Sequence, residues 1–322
     1  MEQREARSRV GSGVAVMYHY IRDRFTGSGI FGLTVKQFED QVLWLKTHYE
    51  ILHPATFLKW LDGHEALPAR ACILTFDDGL VEHYRYVFPI LRRYGLAAFF
   101  FLTTAPLETG RIAIIHKVHL LRQAMGEGQF AEEFFRRLAD FGWVPENEDW
   151  KNPLHAAYRW DTPGVGEVKL FISRIVPYPL LDEVITKLFR DVMGSDEEHV
   201  GSVYLSWDQV RELLEAGMII GGHGHSHRMY SRLEPAEQEA DIEACLSVLE
   251  RRLGMPATTY AYPFGQASTF TDVTIKLLRS RGVTCAFANE AGAIGSDADL
   301  LALKRVDPKD LLIQSSLNVQ EV

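Results

Sequence analysis

Cysteine is scarce, with only Cys72, Cys245 and Cys285 in a chain of 322 residues. An odd number of widely spaced thiols, each inside an apolar run, excludes a disulfide framework and reads as reduced core residues of a cytoplasmic protein. Excess positive charge is missing too. With 34 Lys+Arg against 43 Asp+Glu the formal charge is -9, which argues against a groove that tracks a polyphosphate, so nucleic acid is not an expected partner. Nor is there a long hydrophobic run. The most apolar stretch, Leu96–Leu102, falls far short of the ~18 to 20 residues of a membrane helix. The first residues run into Val14-Ala15-Val16-Met17 without the apolar core and small-residue cleavage site of a signal peptide. The expectation is a protein without a transmembrane segment, cytoplasmic, able to meet a precursor at the inner face of the membrane.

What is present is apolar material in quantity. Hydrophobic residues make up 47% and charged residues 24%, too much of the first for disorder and enough to fill one large α/β domain or two modest ones. Val14–Tyr18 reads as a buried strand, and Thr34-Val35-Lys36-Gln37 has the form of a capping box that opens a helix. Ala71–Phe76 is a second strand, followed by a helix from about Glu82 to a stop at Gly95, then a strand over Ala97–Leu102. Strand, helix, strand is the signature of a parallel βαβ unit. Between Thr104 and Val203 the β signal fades and helices are expected over Lys117–Ala124, Phe130–Leu138 and Leu180–Met193. Alternation resumes with a second capping box at Ser206–Gln209, a strand at Met218–Gly221, a helix face marked by Ile242, Cys245, Leu246, Leu249 and Leu253, and strands at Thr258–Tyr262 and Val283–Phe287. A final apolar segment covers Leu300–Val306. Repeated βα units favour a barrel or a doubly wound sheet, and pattern alone does not separate the two.

Two clusters carry chemistry. Thr75-Phe76-Asp77-Asp78-Gly79 sets two carboxylates at the C-terminal end of a buried strand, where α/β enzymes build their sites. Adjacent carboxylates are best tolerated there if one binds a cation and the other acts as a base or acceptor; an ordinary polar turn with one Asp as helix cap is the alternative. The second cluster, Gly221-Gly222-His223-Gly224-His225-Ser226-His227, places three imidazoles within five positions. Either a helical turn or an extended segment can present two of their nitrogens to one metal; the alternative is a polar loop bonded to backbone. One carboxylate with two imidazoles suits Zn²⁺ or a similar divalent ion with positions left open for water and substrate.

These residues resemble the first two motifs of the polysaccharide deacetylases of the NodB-homology type, carbohydrate esterase family 4. Ala261-Tyr262-Pro263-Phe264-Gly265 is similar to a third, Arg-x-Pro-Tyr/Phe, with Ala261 where the arginine often stands. Met17-Tyr18-His19-Tyr20 resembles the exopolysaccharide-deacetylase branch, in which a Tyr-His pair precedes the homology domain. The resemblance covers Val14–Leu102 and Tyr204–Val306. It implies one catalytic domain over 1–322, a distorted (β/α)7 TIM-like barrel; the mainly helical insertion 104–203 lies outside the common pattern, and its length and apolar content lead us to expect a cap that sets substrate choice. It also implies one divalent metal, Zn²⁺ first with Co²⁺, Ni²⁺ or Fe²⁺ as alternatives, held by Asp78, His223 and His227. Asp77 would be the general base, and the Phe264 amide would help stabilise the oxyanion. His225 has no counterpart as a ligand. Arg305 is the substitute for the arginine absent at Ala261, and His19 for the acid of an absent Leu-x-His motif. Tyr262, Pro263 and Trp160 are expected at the substrate; Trp143, Trp150, Tyr158 and Trp160 either stack on sugar rings or fill the cap's own core.

The implied reaction is hydrolysis of the N-acetyl, or another N-acyl, group of a sugar, glycolipid or oligosaccharide in a cell-surface polysaccharide or lipopolysaccharide pathway. Hydrolysis of a non-sugar amide, as in the allantoinase-like branch, is a second reading. A catalytically silent carbohydrate-binding protein is a third, against which Asp77 speaks, since binding needs no base.

Overall fold

The computed structural model describes residues 11–26, 29–144 and 165–311. Nine strands occur among them: β1 Gly13–Tyr18, β2 Ile21–Arg22, β3 Leu33–Thr34, β4 Glu50–Ile51, β5 Ala71–Phe76, β6 Phe99–Leu102, β7 Ile219–Gly222, β8 Thr259–Ala261 and β9 Cys285–Phe287. The main sheet has the order β1-β5-β6-β7-β8-β9, with every pairing parallel. β4 pairs only with the first two residues of β5, and β2 with β3 forms a separate two-stranded ribbon. The curl is closed by the segment expected from the apolar run Leu300–Val306. Leu303 bridges Phe287 of β9, Val306 bridges Val16 of β1, and the Met17 amide donates to the Val306 carbonyl at 3.1 Å. Six strands and this segment make the distorted seven-membered barrel.

The helices between strands start where side-chain caps permit. Thr34 and Gln37, Ser206 and Gln209, and Thr271 and Thr274 each form a reciprocal capping box, opening Val35–His48, Trp207–Glu215 and Asp272–Ser280. Pro235–Leu253 begins about two turns before its first apolar marker, because Glu234 and Glu237 cap it and Pro235 needs no amide partner there. A π-turn over His83–Val87 precedes Phe88–Arg93. Pro89 lacks the amide that would reach the Arg85 carbonyl, which accounts for the widened turn. The short helix Pro54–Leu61 has no counterpart in the sequence reading; its cap is the unusual His53, whose Nδ1 accepts from the Ala55 amide. Phe57 of this helix lies 6.1 Å from both Phe99 and Phe287, in one core with Ala15, Ile73, Phe101 and Ala261.

The chain forms two compact units. One takes the residues up to Arg24, Gly32–Thr109 and those from Gly201 onward; the other takes Phe25–Phe31 and Gly110–Val200. Helix Thr104–Thr109 therefore stays with the barrel, because the Thr104 and Ala105 amides donate to the Gly224 and His225 carbonyls at 3.2 and 2.9 Å. Within the second unit, helices Ile114–Met125, Glu127–Asp140 and Tyr178–Met193 bury Leu121, Phe130, Phe134, Leu181, Val184 and Leu188. Trp143 stands edge-on to Phe171 at 6.1 Å, which places it in that unit's own aromatic core. Trp150, Tyr158 and Trp160 lie outside the described residues. Among the described residues no helix is long and apolar enough to cross a membrane.

Candidate active site

In a strand, alternate residues share a face. The row Ile73–Thr75 of β5 continues to Asp77, Ala15–Met17 of β1 continues to His19, Gly221 of β7 continues to His223, and Leu303 of the closing segment continues to Arg305. Ala15, Ile73 and Leu303 belong to the barrel core. The period that fills the core thus delivers two histidines, a carboxylate and a guanidinium to the C-terminal end of the same sheet.

Asp77 is 1% exposed, as is Arg305. Arg305 Nη1 donates to Asp77 Oδ1 at 2.8 Å and to Thr75 Oγ1 at 3.2 Å, while its Nε donates to the Ala288 carbonyl at 3.0 Å. Burial pushes the Asp77 carboxyl up, but Arg305, followed by His223 and His19, outweighs it and holds the group below its usual value. On the other carboxylate oxygen, His19 Nε2 lies 3.8 Å from Asp77 Oδ2, with the imidazole 39% exposed. The Asp77 carboxylate is therefore ionised and fixed from one side and open toward His19 on the other.

Asp78, the next residue, has a left-handed backbone, φ 75°, and is followed by Gly79 at φ 69°. A side chain at Gly79 would meet Leu102 Cδ2 at 3.0 Å in a conformation L residues rarely adopt. Asp78 Oδ1 lies 3.3 Å from His223 Nε2 and 3.1 Å from His227 Nε2. His223 Nδ1 donates to the Ala261 carbonyl at 2.9 Å, which leaves Nε2 with its lone pair directed at the carboxylate in the neutral ring. The three ligand atoms lie within 4.8 Å of one another. Lone pairs of two imidazoles converging on a carboxylate fit a divalent cation. Among the described residues, the non-glycine positions in the left-handed region are Asp78, His227 and Phe264. Each costs about 1 kcal/mol or more to hold there, and all three stand at this end of the barrel.

A statistical model of the family described as polysaccharide deacetylase matches residues 64–156 and 184–286, more than half of the chain. The chain belongs to the polysaccharide deacetylase family. It is 32% identical over 114 residues to the Bacillus subtilis (strain 168) protein YxkH, covering 35% of this chain and 37% of that one. It is 30% identical over 82 residues to the poly-beta-1,6-N-acetyl-D-glucosamine N-deacetylase of Escherichia coli (strain K12), covering 25% of this chain and 12% of that one. The chain thus matches little more than a third of one curated relative and about an eighth of the other. Its fold is similar to that of the Streptococcus pyogenes deacetylase PplD, with a TM-score of 0.59 at 17% identity over 94% of this chain and 97% of that one.

In this family member, Asp77 lies beside Arg305 and His19, and Asp78 beside His223 and His227. His225 is turned aside, with Nδ1 against Thr104 Oγ1 at 2.9 Å. The Phe264 ring stands 5.3 Å from that of His227, and its carbonyl accepts from the Asn289 side chain. Tyr262 and Pro263 differ from expectation. Tyr262 is buried, its hydroxyl donates to the Leu301 carbonyl at 2.7 Å and its ring stacks on Phe270 at 3.8 Å, so both ring and hydroxyl are committed to the core rather than to substrate. Pro263 is buried as well. Trp160, also expected at the substrate, lies outside the described residues.

Sequence reasoning passed over His83. Fully buried between Phe76 and Phe100, it donates from Nε2 to the His19 carbonyl at 2.9 Å, and thereby fixes the backbone that carries His19. Burial lowers its pKa to about 4. Because the folded value lies below the unfolded one, the unfolded chain takes the proton first, and stability is lost as pH falls from about 6.5 to about 4. Replacing His83 with Gln, which keeps a donor and removes the titration, is expected to make this loss smaller by up to about 3 kcal/mol. Denaturant unfolding of both metal-free proteins across that range checks it; parallel curves would show that His83 does not contribute.

Proposed function

We propose that this protein is a metal-dependent deacetylase that hydrolyses the N-acyl group of a sugar in a cell-surface glycan or its precursor. The observation that carries the reading is the division of labour between adjacent carboxylates: Asp78 faces two imidazole nitrogens, while Asp77 faces Arg305 and His19. A divalent ion, Zn²⁺ first, held by Asp78, His223 and His227, supplies Lewis-acid polarisation of water and of the acyl carbonyl at neutral pH.

The remaining work falls to side chains and backbone of the chain. Asp77, kept ionised by Arg305, takes the proton of the attacking water as the C–O bond forms. The Phe264 amide, in its left-handed turn, donates to the oxyanion. His19 gives a proton to the sugar nitrogen as the C–N bond breaks, which yields acetate and a free amine. Removing this acid, by His19→Ala, is expected to lower turnover ~10² to 10⁴-fold with metal content unchanged. A fully active His19→Ala protein would assign the proton to another donor.

The similarity to the Escherichia coli poly-beta-1,6-N-acetyl-D-glucosamine N-deacetylase makes β-1,6-linked N-acetylglucosamine oligomers the first substrates to try. Acetate release should be measured from these and from acetylated glycolipids, and ring opening to allantoate from allantoin as a non-sugar amide, before and after chelation and Zn²⁺ return. Release from an N-acetylated sugar that stops on chelation and recovers with Zn²⁺ is expected. Turnover of allantoin alone, or of none of them, would overturn the reading.

A further inference from the structure

The loop that carries His223 and His227 has an unusual backbone for its length. Gly224 is at φ 76° and His227 at φ 57°, two left-handed residues in four. The loop's carbonyl side is taken by the residues after β6. Thr103 Oγ1 donates to the His223 carbonyl at 3.2 Å, and the amides of Thr104 and Ala105 donate to the Gly224 and His225 carbonyls. Its amide side is taken by one side chain from helix Pro235–Leu253. Asp241 Oδ2 accepts from the His225 amide at 2.9 Å and from the Tyr230 hydroxyl at 3.0 Å. Asp241 Oδ1 accepts from the Ser226 amide at 2.9 Å and from Ser226 Oγ at 2.5 Å. The carboxylate is 9% exposed.

We propose that Asp241 is a positioning residue for the metal centre: by fixing the two amides between the ligands, it sets where the His223 and His227 nitrogens meet Asp78. The inference rests on the reading of Asp78, His223 and His227 as a metal site. Both carboxylate oxygens are used as acceptors from backbone amides that cannot turn away, so charge alone does not explain the residue; the spacing of its two oxygens matches consecutive amides. A side chain at Gly224 would come within 3.2 Å of Asp241 Oδ2 and 3.1 Å of Pro263 Cγ, so the loop is packed directly against its anchor. The Tyr230 hydroxyl, itself paired with the Tyr260 hydroxyl, also holds Asp241 Oδ2.

Asp241→Asn tests this with little change of shape. Whichever way the amide is turned, its NH₂ faces one of the two backbone amides. Zn²⁺ affinity of the metal-free protein, measured by competition with a chromophoric chelator, is expected to fall about 10- to 100-fold, with shifted visible bands in the Co²⁺-loaded protein. Ser226→Ala and Tyr230→Phe, which each remove one donor and no backbone bond, are expected to fall by about two- to tenfold. Asp241→Asn that binds Zn²⁺ within twofold of the unaltered protein and gives the same Co²⁺ spectrum would overturn the proposal. If Asp241→Asn fails to fold, unaltered affinity and spectra in both other variants would overturn it instead. Absence of stoichiometric Zn²⁺ binding by the unaltered protein is a different result, which removes the metal site itself.

Discussion

Asp77→Asn is expected to leave the metal in place and to remove turnover, by at least the ~10² to 10⁴-fold that a positioned base contributes. The amide has the size of the carboxylate but cannot accept the proton of the attacking water. Metal retention follows because Asp77 faces Arg305 and His19 rather than the two ligand imidazoles. The substitution should also cost stability, since it leaves a buried guanidinium without its anion. Breaking such a pair costs about 3 to 5 kcal/mol, moderated here by the Ala288 carbonyl and Thr75 hydroxyl that Arg305 keeps. Metal content, single-turnover rate and denaturant midpoint separate the effects. Activity within tenfold of the unaltered enzyme would show that Asp77 is structural and that another group takes the proton.

Replacing both His223 and His227 with Ala is expected to abolish metal binding and, with it, activity. The converging set would shrink from three ligand atoms to the single carboxylate of Asp78, and one carboxylate does not hold a transition metal at neutral pH against water. A readout independent of substrate is available. Zn²⁺ at a hundredfold excess over its dissociation constant should stabilise the unaltered protein by about 2.7 kcal/mol and the double variant not at all. Stoichiometric metal persisting in the double variant would move the site elsewhere.

Much of this arrangement is legible in the chain because local rules decide it. The capping boxes at Thr34 and Ser206 mark helix starts that the structure repeats, and the strands that end at Asp77 and His223 are apolar enough to stand out. Where packing decides, the sequence is quieter. β4 is two residues long and gains its identity only from pairing with Ala71 and Cys72, while helix Pro54–Leu61 is opened by a histidine that seldom caps. Tyr262 lies within a motif that resembles a substrate-lining segment, yet the carbonyl that claims its hydroxyl belongs to Leu301, 39 positions away. Arg305 was within reach of sequence reasoning because Ala261 leaves a charge to be supplied and few buried cations follow it. Asp241 was not, since its partners are 11 to 16 residues upstream and an acid in an amphipathic helix looks like one more solvated charge. His83 is hidden for the same reason, as its partner is a backbone carbonyl.

The pairing of Asp77 with Arg305 also sets a timetable. The two residues are 228 positions apart, and the guanidinium sits on the segment that closes the barrel between β9 and β1. At about 5 to 20 residues per second, a ribosome finishes Arg305 some 10 to 45 seconds after Asp77. Over that interval β1, β5 and β6 can pair, but the carboxylate at the end of β5 has no cation to meet and the ring has a gap beside β1. A chain lacking the closing segment would lack both the guanidinium that meets Asp77 and the bridges to Val16 and Phe287. Closure of the sheet and pairing of Asp77 thus depend on the same few residues, Leu303–Val306.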